Sequence, residues 1–270
     1  VELSTLAGRN QDDLDVITGA LLIARDAYPG LEIESEKRKI SELAPSLVPR
    51  GSASEIAGYL SRHFYGRLGF RGNADDYYDP RNSYLNQVLE RRLGIPISLA
   101  LLYVELARAA GAHAEGVGFP GHFLVRIRDE RGHGLLIDPF HEGAELDAPA
   151  LRQLSTRFAG APDDLDPRWL APASGRSILV RMLSNLRGIY TTSGNDRALL
   201  LVLTRLSELL PEESSLFRDR GLLAAKLGAP RAALADLARY LDTAGELADR
   251  DAVLETMREL EDRAGPSSSN

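Results

Sequence analysis

A single histidine, His122, stands in "GFPGHFLVRI" (residues 118–127), between a Pro-Gly turn and a run that alternates apolar and basic residues. A second short run, "LLIDPF", carries Asp138 at its end. An aspartate that accepts from one imidazole nitrogen fixes the tautomer and leaves the other nitrogen as a base. If the two runs are neighbouring antiparallel strands, His122 at the start of one and Asp138 at the end of the next lie side by side. A nucleophile at a helix N-terminus, where N–H groups and partial positive charge are available, would complete a triad. A metal site is a rival reading, because His122, His133, Asp138 and His141 fall within twenty residues and nitrogen and carboxylate ligands suit zinc. His133 belongs to a polar hairpin loop, however, and His141 to the loop beyond Pro139. The spacing does not make the four converge, and no metal or other cofactor is expected.

The elements that must position this pair are legible from periodicity. "IPISLALLYVELARAAG" is apolar almost all round and reads as a central buried helix, with Pro96 at its first position and Gly111 as its stop. Ahead of it, "DDLDVITGALLIARDAYPG", "ESEKRKISELAPSLV" and "SASEIAGYLSRHFYGRLGF" show helical spacing, the last opening with Ser52 and Ser54 as candidate caps and Glu55 three residues after Ser52. A turn-rich stretch, "RGNADDYYDPRN", precedes a further helix over "SYLNQVLERRL" that breaks at Gly94. After the buried helix the period becomes two: "AEGVGF", "HFLVRIRDE" and "GLLIDPF" read as strands, with "RDERGHG" as a hairpin loop. The fold class is α+β and mainly helical, one buried helix packed on a small antiparallel sheet.

From about residue 175 the pattern is helical again and repeats itself. Leu183 and Phe217 are 34 residues apart, as are Gly194 and Gly228, and Leu203 and Leu237. That is the period of tetratricopeptide helix-turn-helix units. The match is partial, since Arg187 holds the place that Gly221 fills in the second unit. An extra helix is expected near residues 248 to 263. The resulting organisation is a first domain over 1–157 with its core at about 71–145, a linker over 158–174 in which Trp169 is the docking anchor, and helical repeats over 175–265.

The run from "GFRGNADDYYDPRNSYLNQVLERRLGIPISLALLYVELARAAG" through "EGVGFPGHFLVRI" to "LLIDPF" resembles the SirB-type branch of the transglutaminase-like proteins, in which a helical part precedes the core and tetratricopeptide-like helices follow it. The resemblance implies that His122 and Asp138 stand where that superfamily has its catalytic His and Asp. It also implies a cysteine nucleophile at the start of the buried helix, and this chain has no cysteine at all. Counting back from Arg108 and Gly111 puts Pro96 in its place, which would leave a dead triad. Moving the register by two puts Ser98 there, which would leave a serine triad. A helix N-terminus is worth roughly 0.3–1 kcal/mol to a nearby negative charge, less than about one pKa unit; that assists a thiol and hardly touches a hydroxyl. Ser98 would therefore need direct contact with His122 as base, while its plain role is to cap a free N–H. Asn82, which the resemblance makes a candidate for the cleft, joins Pro96, Tyr78 and Phe119 as candidate binding residues, although the structural reading, in which Asn82 or Ser83 caps the helix that follows, is preferred for it.

Composition bounds the partners. The 270 residues carry a formal net charge of −7, with 44% hydrophobic and 26% charged residues. An acidic balance argues against nucleic acid or an anionic membrane as the main partner, and no apolar stretch approaches the roughly 18 to 20 residues that span a bilayer. The absence of cysteine makes a reducing cytoplasm the default setting. The N-terminal stretch has no basic-then-apolar signal pattern, and the tail "AGPSSSN" is expected to fray. The expectation is a cytoplasmic protein that binds a peptide or protein through its cleft and repeats. An acyl-transferring or amide-hydrolysing enzyme with a Ser98-His122-Asp138 triad is the alternative, and a repeat adaptor with an inert core the second. Oligomeric state is not legible.

Overall fold

In a computed structural model of the chain, residue 3 and residues 14–159, 165–243 and 248–264 are described. The expectations about a signal pattern and a frayed tail therefore lie largely outside the described residues. These fall into two compact units, one of the described residues from 14 to Met182 and the other of those from Leu183 onward together with residue 3.

The first unit opens with α1 (Val16–Ala27), α2 (Ile33–Glu42) and α3 (Ala53–Ser61). The capping pair is present at α3: the Ser52 hydroxyl accepts from the Glu55 amide at 3.3 Å, and the Glu55 carboxylate accepts from the Ser52 amide at 2.8 Å. α3 then widens into a π-helical turn, Arg62–Arg67. That turn sends Phe64 inward to stack on Phe70, with ring centroids 4.4 Å apart, and aims Tyr65 at the sheet. Next come β1 (Arg71–Gly72), a 3-10 turn (Pro80–Asn82), α4 (Leu85–Arg91) and β2 (Leu93–Gly94). α4 ends on Arg92 in the left-handed conformation at φ 60°. β1 and β2 form a two-residue parallel pair, too short to leave a periodic trace in the sequence.

The buried helix is α5, Pro96–Ala109, with every residue from Ile95 to Val104 buried. Gly111 stops it at φ 83°, a conformation that favours glycine. The sheet follows as β3 (His113–Val117), β4 (Leu124–Arg128), β5 (Gly134–Asp138) and β6 (Ala144–Leu146), all antiparallel in that order. Both α5 and α3 pack against it. Its other face carries Val117, Phe119, Leu124 and Leu136, covered by Leu151 and Leu154 of α6 (Ala148–Ala159) and by Trp169. Residues 165–174 lie along the β3 edge: Pro172 bridges to Val117, the Ala173 amide donates to Gly116 at 2.8 Å, and the Leu170 carbonyl accepts from Arg126. An edge strand's free backbone groups are satisfied in this way.

A long helix, α7 (Gly175–Ser193), spans the boundary between the units. The second unit continues with α8 (Asp196–Leu209), α9 (Ser214–Lys226), α10 (Pro230–Thr243) and α11 (Arg250–Ala264). The 34-residue period is structural. Gly194 and Gly228 both take positive φ at the turns, 67° and 76°, while Leu203 and Leu237 are both buried. Gly221 lets α9 approach α10 closely, since a β-carbon there would lie 2.9 Å from Leu237 Cγ. Arg187, its counterpart in the first repeat, pairs instead with Asp219. No helix among the described residues is long and apolar enough to cross a membrane.

Candidate functional site

His122 closes the tight turn between β3 and β4, its amide donating to the Phe119 carbonyl at 3.1 Å, with Gly121 at φ 65° providing the reversal. Asp138 ends β5. The two side chains meet as the strand layout predicts: His122 Nε2 lies 2.8 Å from Asp138 Oδ1, and both side chains are about 95% buried (5% and 4% exposed). Asp138 also organises the turn that follows it. Its Oδ1 accepts from the Phe140 amide at 2.9 Å and from the His141 amide at 3.3 Å, and its Oδ2 lies 2.7 Å from His141 Nδ1. One carboxylate thus serves two imidazoles. Burial would raise the Asp138 carboxyl, but the hydrogen bonds and charge of His122, with those of His141 and the Phe140 amide, more than offset it and hold it below its ordinary value.

The turn is held from three sides. Tyr65, from the π-helical turn, donates to the Pro139 carbonyl at 3.1 Å, and burial pushes its phenol well above the usual range. Gly72 of β1 lies flat under Phe140, where a β-carbon would come within 2.6 Å of the Phe140 carbonyl oxygen. Gly143 closes the turn at φ 74°, and a β-carbon there would fall onto Ser61 Oγ. None of these supports is near Asp138 in sequence, except Gly143.

Ser98 is held by backbone groups at the start of α5 and in the loop ahead of α4. It is fully buried (0% exposed) at the third position of α5. Its hydroxyl donates to the Asn82 carbonyl at 2.6 Å and accepts from the Ile95 amide at 3.1 Å. A hydroxyl has one proton, so the proton a base would take is already engaged. Ser98 caps α5 and ties it to the loop ahead of α4. Pro96 is buried at the first position of the helix.

Asn82 and Phe119, expected to line a cleft, lie inside the fold. Asn82 is fully buried (0% exposed); its amide donates to the Asp76 and Tyr77 carbonyls at 2.7 and 3.2 Å, and its Oδ1 accepts from Asn73 at 3.0 Å. It shapes the acidic-aromatic loop. Phe119 packs on Trp169 with centroids 6.1 Å apart, in the hydrophobic cluster behind the sheet, while its carbonyl accepts from Arg181 at 2.9 Å. Apolar surface gains most by burial, and a Phe after a strand end is as easily core as rim. Tyr78 is at the surface, 75% exposed. It meets Tyr77 edge-on at 5.3 Å, Tyr77 meets Phe140 at 5.7 Å, and Phe140 meets His141 at 5.3 Å. A strip of rings therefore runs from the loop to His141.

His141, which the sequence offered only within the rival metal reading, has a side chain that is 59% exposed. Of the four metal-capable residues, His122, Asp138 and His141 come together and His133 does not. His133 turns away to Asp129, 3.1 Å from Nδ1 to Oδ2, within its own hairpin. The Asp-Pro-x-His spacing was the available signal, because an Asx turn after Asp brings the side chain at the third position back to the carboxylate. A separate cavity of about 360 Å³ opens beside the later half of α5, lined by Leu101, Val104, Glu105, Arg108 and Ile178 among others. His122 and Asp138 do not line it.

Comparison with known proteins agrees with this architecture. Residues 34–184 match the family model described as transglutaminase-like superfamily, and residues 186–258 match that described as tetratricopeptide repeat. The chain is 43% identical over 248 residues to a UPF0162 protein of Xylella fastidiosa, covering 88% of this chain and 87% of that one. It is 36% identical over 235 residues to a UPF0162 protein of Pseudomonas aeruginosa, covering 86% and 85%. It is also 33% identical over 156 residues to human F-box only protein 21, a stretch that is 55% of this chain and 24% of that protein.

Proposed function

Since the chain belongs to the transglutaminase-like superfamily, we propose that it is a member without a working nucleophile, a binding protein rather than an acyl-transfer enzyme. The observation that carries this is the state of Ser98 in a chain with no cysteine: its one hydroxyl proton is given to the Asn82 carbonyl at 2.6 Å in a fully buried position. The His122–Asp138 pair then acts as a structural clamp that ties the β3–β4 turn to the end of β5. Binding falls to the strip of exposed Tyr78, Tyr77 and His141 with half-buried Phe140 between them, which suits an extended peptide or protein segment because aromatic rings supply contact area at low entropic cost. Asn82 holds the Tyr77 end of that strip through the Asp76 and Tyr77 carbonyls, and Ser98 holds Asn82.

The test has two arms. A panel of peptide amides, esters and amine acceptors incubated with the protein is expected to show no turnover above that of His122→Ala; turnover lost on that substitution contradicts the proposal. Peptides selected by display on the intact protein are expected to bind at least about tenfold more weakly to Tyr78→Ala and His141→Ala.

One observation favours a second reading, the repeat adaptor. The second unit has a groove of about 350 Å³ lined by Leu199, Leu203, Leu222 and Leu223, and Leu222 is 40% exposed. In that case selected peptides keep their affinity for the Tyr78 and His141 variants and lose it with Leu222→Ser.

A further inference from the structure

We infer that His122, His141 and Asp138 form a binding site for a transition-metal divalent cation of the zinc class. His122 Nε2 and His141 Nδ1 lie 2.8 and 2.7 Å from the two oxygens of Asp138, and one ligand atom from each of the three residues lies within 4.8 Å of the others. With metal–ligand bonds of about 2.0–2.1 Å, neighbouring ligand atoms around a tetrahedral ion are about 3.3 Å apart. With Asp138 Oδ2 as the carboxylate ligand, its 2.7 Å separation from His141 Nδ1 opens by about half an ångström, and the two imidazole nitrogens, within 4.8 Å of each other, draw in toward the ion.

The supports around the ligands are those a metal site requires. Asp138 Oδ1 is anchored by the Phe140 amide at 2.9 Å, which leaves Oδ2 to turn to an ion without losing the turn. His122 is fixed by its own turn, and the ligand-bearing loop by Tyr65 and Gly72. The burial gradient supplies a path: His122 and Asp138 are 5% and 4% exposed, whereas His141 is 59% exposed and faces solvent. Three protein ligands and an open side leave a fourth position for water or a carboxylate from a bound partner. Two imidazoles and one carboxylate favour zinc, cobalt, nickel or copper over calcium and magnesium, which prefer oxygen ligands. The inference does not rest on the peptide-binding reading, because it needs neither a peptide nor the Tyr78 strip.

The experiment is a titration of the chelator-stripped full chain with zinc chloride by calorimetry, repeated with cobalt chloride in the visible spectrum, no peptide being present. One equivalent of zinc is expected to bind, and cobalt to give d–d absorption. His141→Ala, at a 59% exposed position and checked for an unchanged circular dichroism spectrum, is expected to weaken zinc binding at least about tenfold and abolish the cobalt band, while His133→Ala leaves both unchanged. Absence of zinc binding at millimolar concentration overturns the site, as does binding that His141→Ala and Asp138→Asn leave intact. Peptide binding measured in excess chelator separates a failure of the metal site from a failure of the proposed peptide surface.

Discussion

At the scale of single residues, the pair His122 and Asp138 was legible because strand ends have predictable neighbours; their 2.8 Å contact follows from two runs of period two. Ser98 illustrates the opposite case. Its position at a helix start is compatible with both nucleophile and cap, and the bond to the carbonyl of Asn82, sixteen residues away, is what favours the cap. Ser98→Ala removes that bond and leaves the Ile95 N–H and the Asn82 C=O unpaired in the interior. We expect a loss of about 1–3 kcal/mol in chemical denaturation, with His122 contributing nothing to the difference. Asp79 offers a pH test. Burial raises its carboxyl, but hydrogen bonds from Arg81 and the charges of Arg91 and Arg81 more than offset that and hold it below its ordinary value. A depressed carboxyl stabilises the fold above its unfolded value of about 3.9 and ceases to do so as pH falls through its folded value. Asp79→Asn is therefore expected to be less stable than the parent at pH 7, with the difference shrinking below about pH 4 in urea melts run across pH.

At the scale of elements, α5 and strands β3 to β5 were readable because each is long enough to show its period. The β1–β2 pair and β6 were not: two or three residues carry no period, and their pairing depends on chain brought from elsewhere. The same holds in part for the Pro139–Gly143 turn. Asp-Pro-x-His spacing signals the turn, but the turn is also held by Gly72 and Tyr65, distant in sequence. Gly72→Ala tests this dependence. A β-carbon 2.6 Å from the Phe140 carbonyl oxygen cannot be relieved by rotating a side chain, so the turn must shift. A cost of about 1–3 kcal/mol is expected in the melting midpoint, together with a changed His141 imidazole resonance and an unchanged His133 resonance. Equal shifts in both histidines would refute the coupling.

At the scale of the molecule, the helical repeats were legible from a 34-residue period that the glycine turns at 194 and 228 bear out. Charge also acts at this scale. With a formal charge of −7, the chain repels polyanions at long range, and no salt-dependent binding to duplex DNA is expected in anisotropy titrations; a steep salt slope would contradict the acidic-surface argument. The central claim is that this transglutaminase-like chain keeps the His–Asp pair without a nucleophile. Intact-mass spectrometry after prolonged exposure to a fluorophosphonate probe tests it most directly. The account predicts an unmodified chain. An adduct mapped to Ser98 that disappears in His122→Ala would show that the buried hydroxyl reaches the imidazole, and would contradict it.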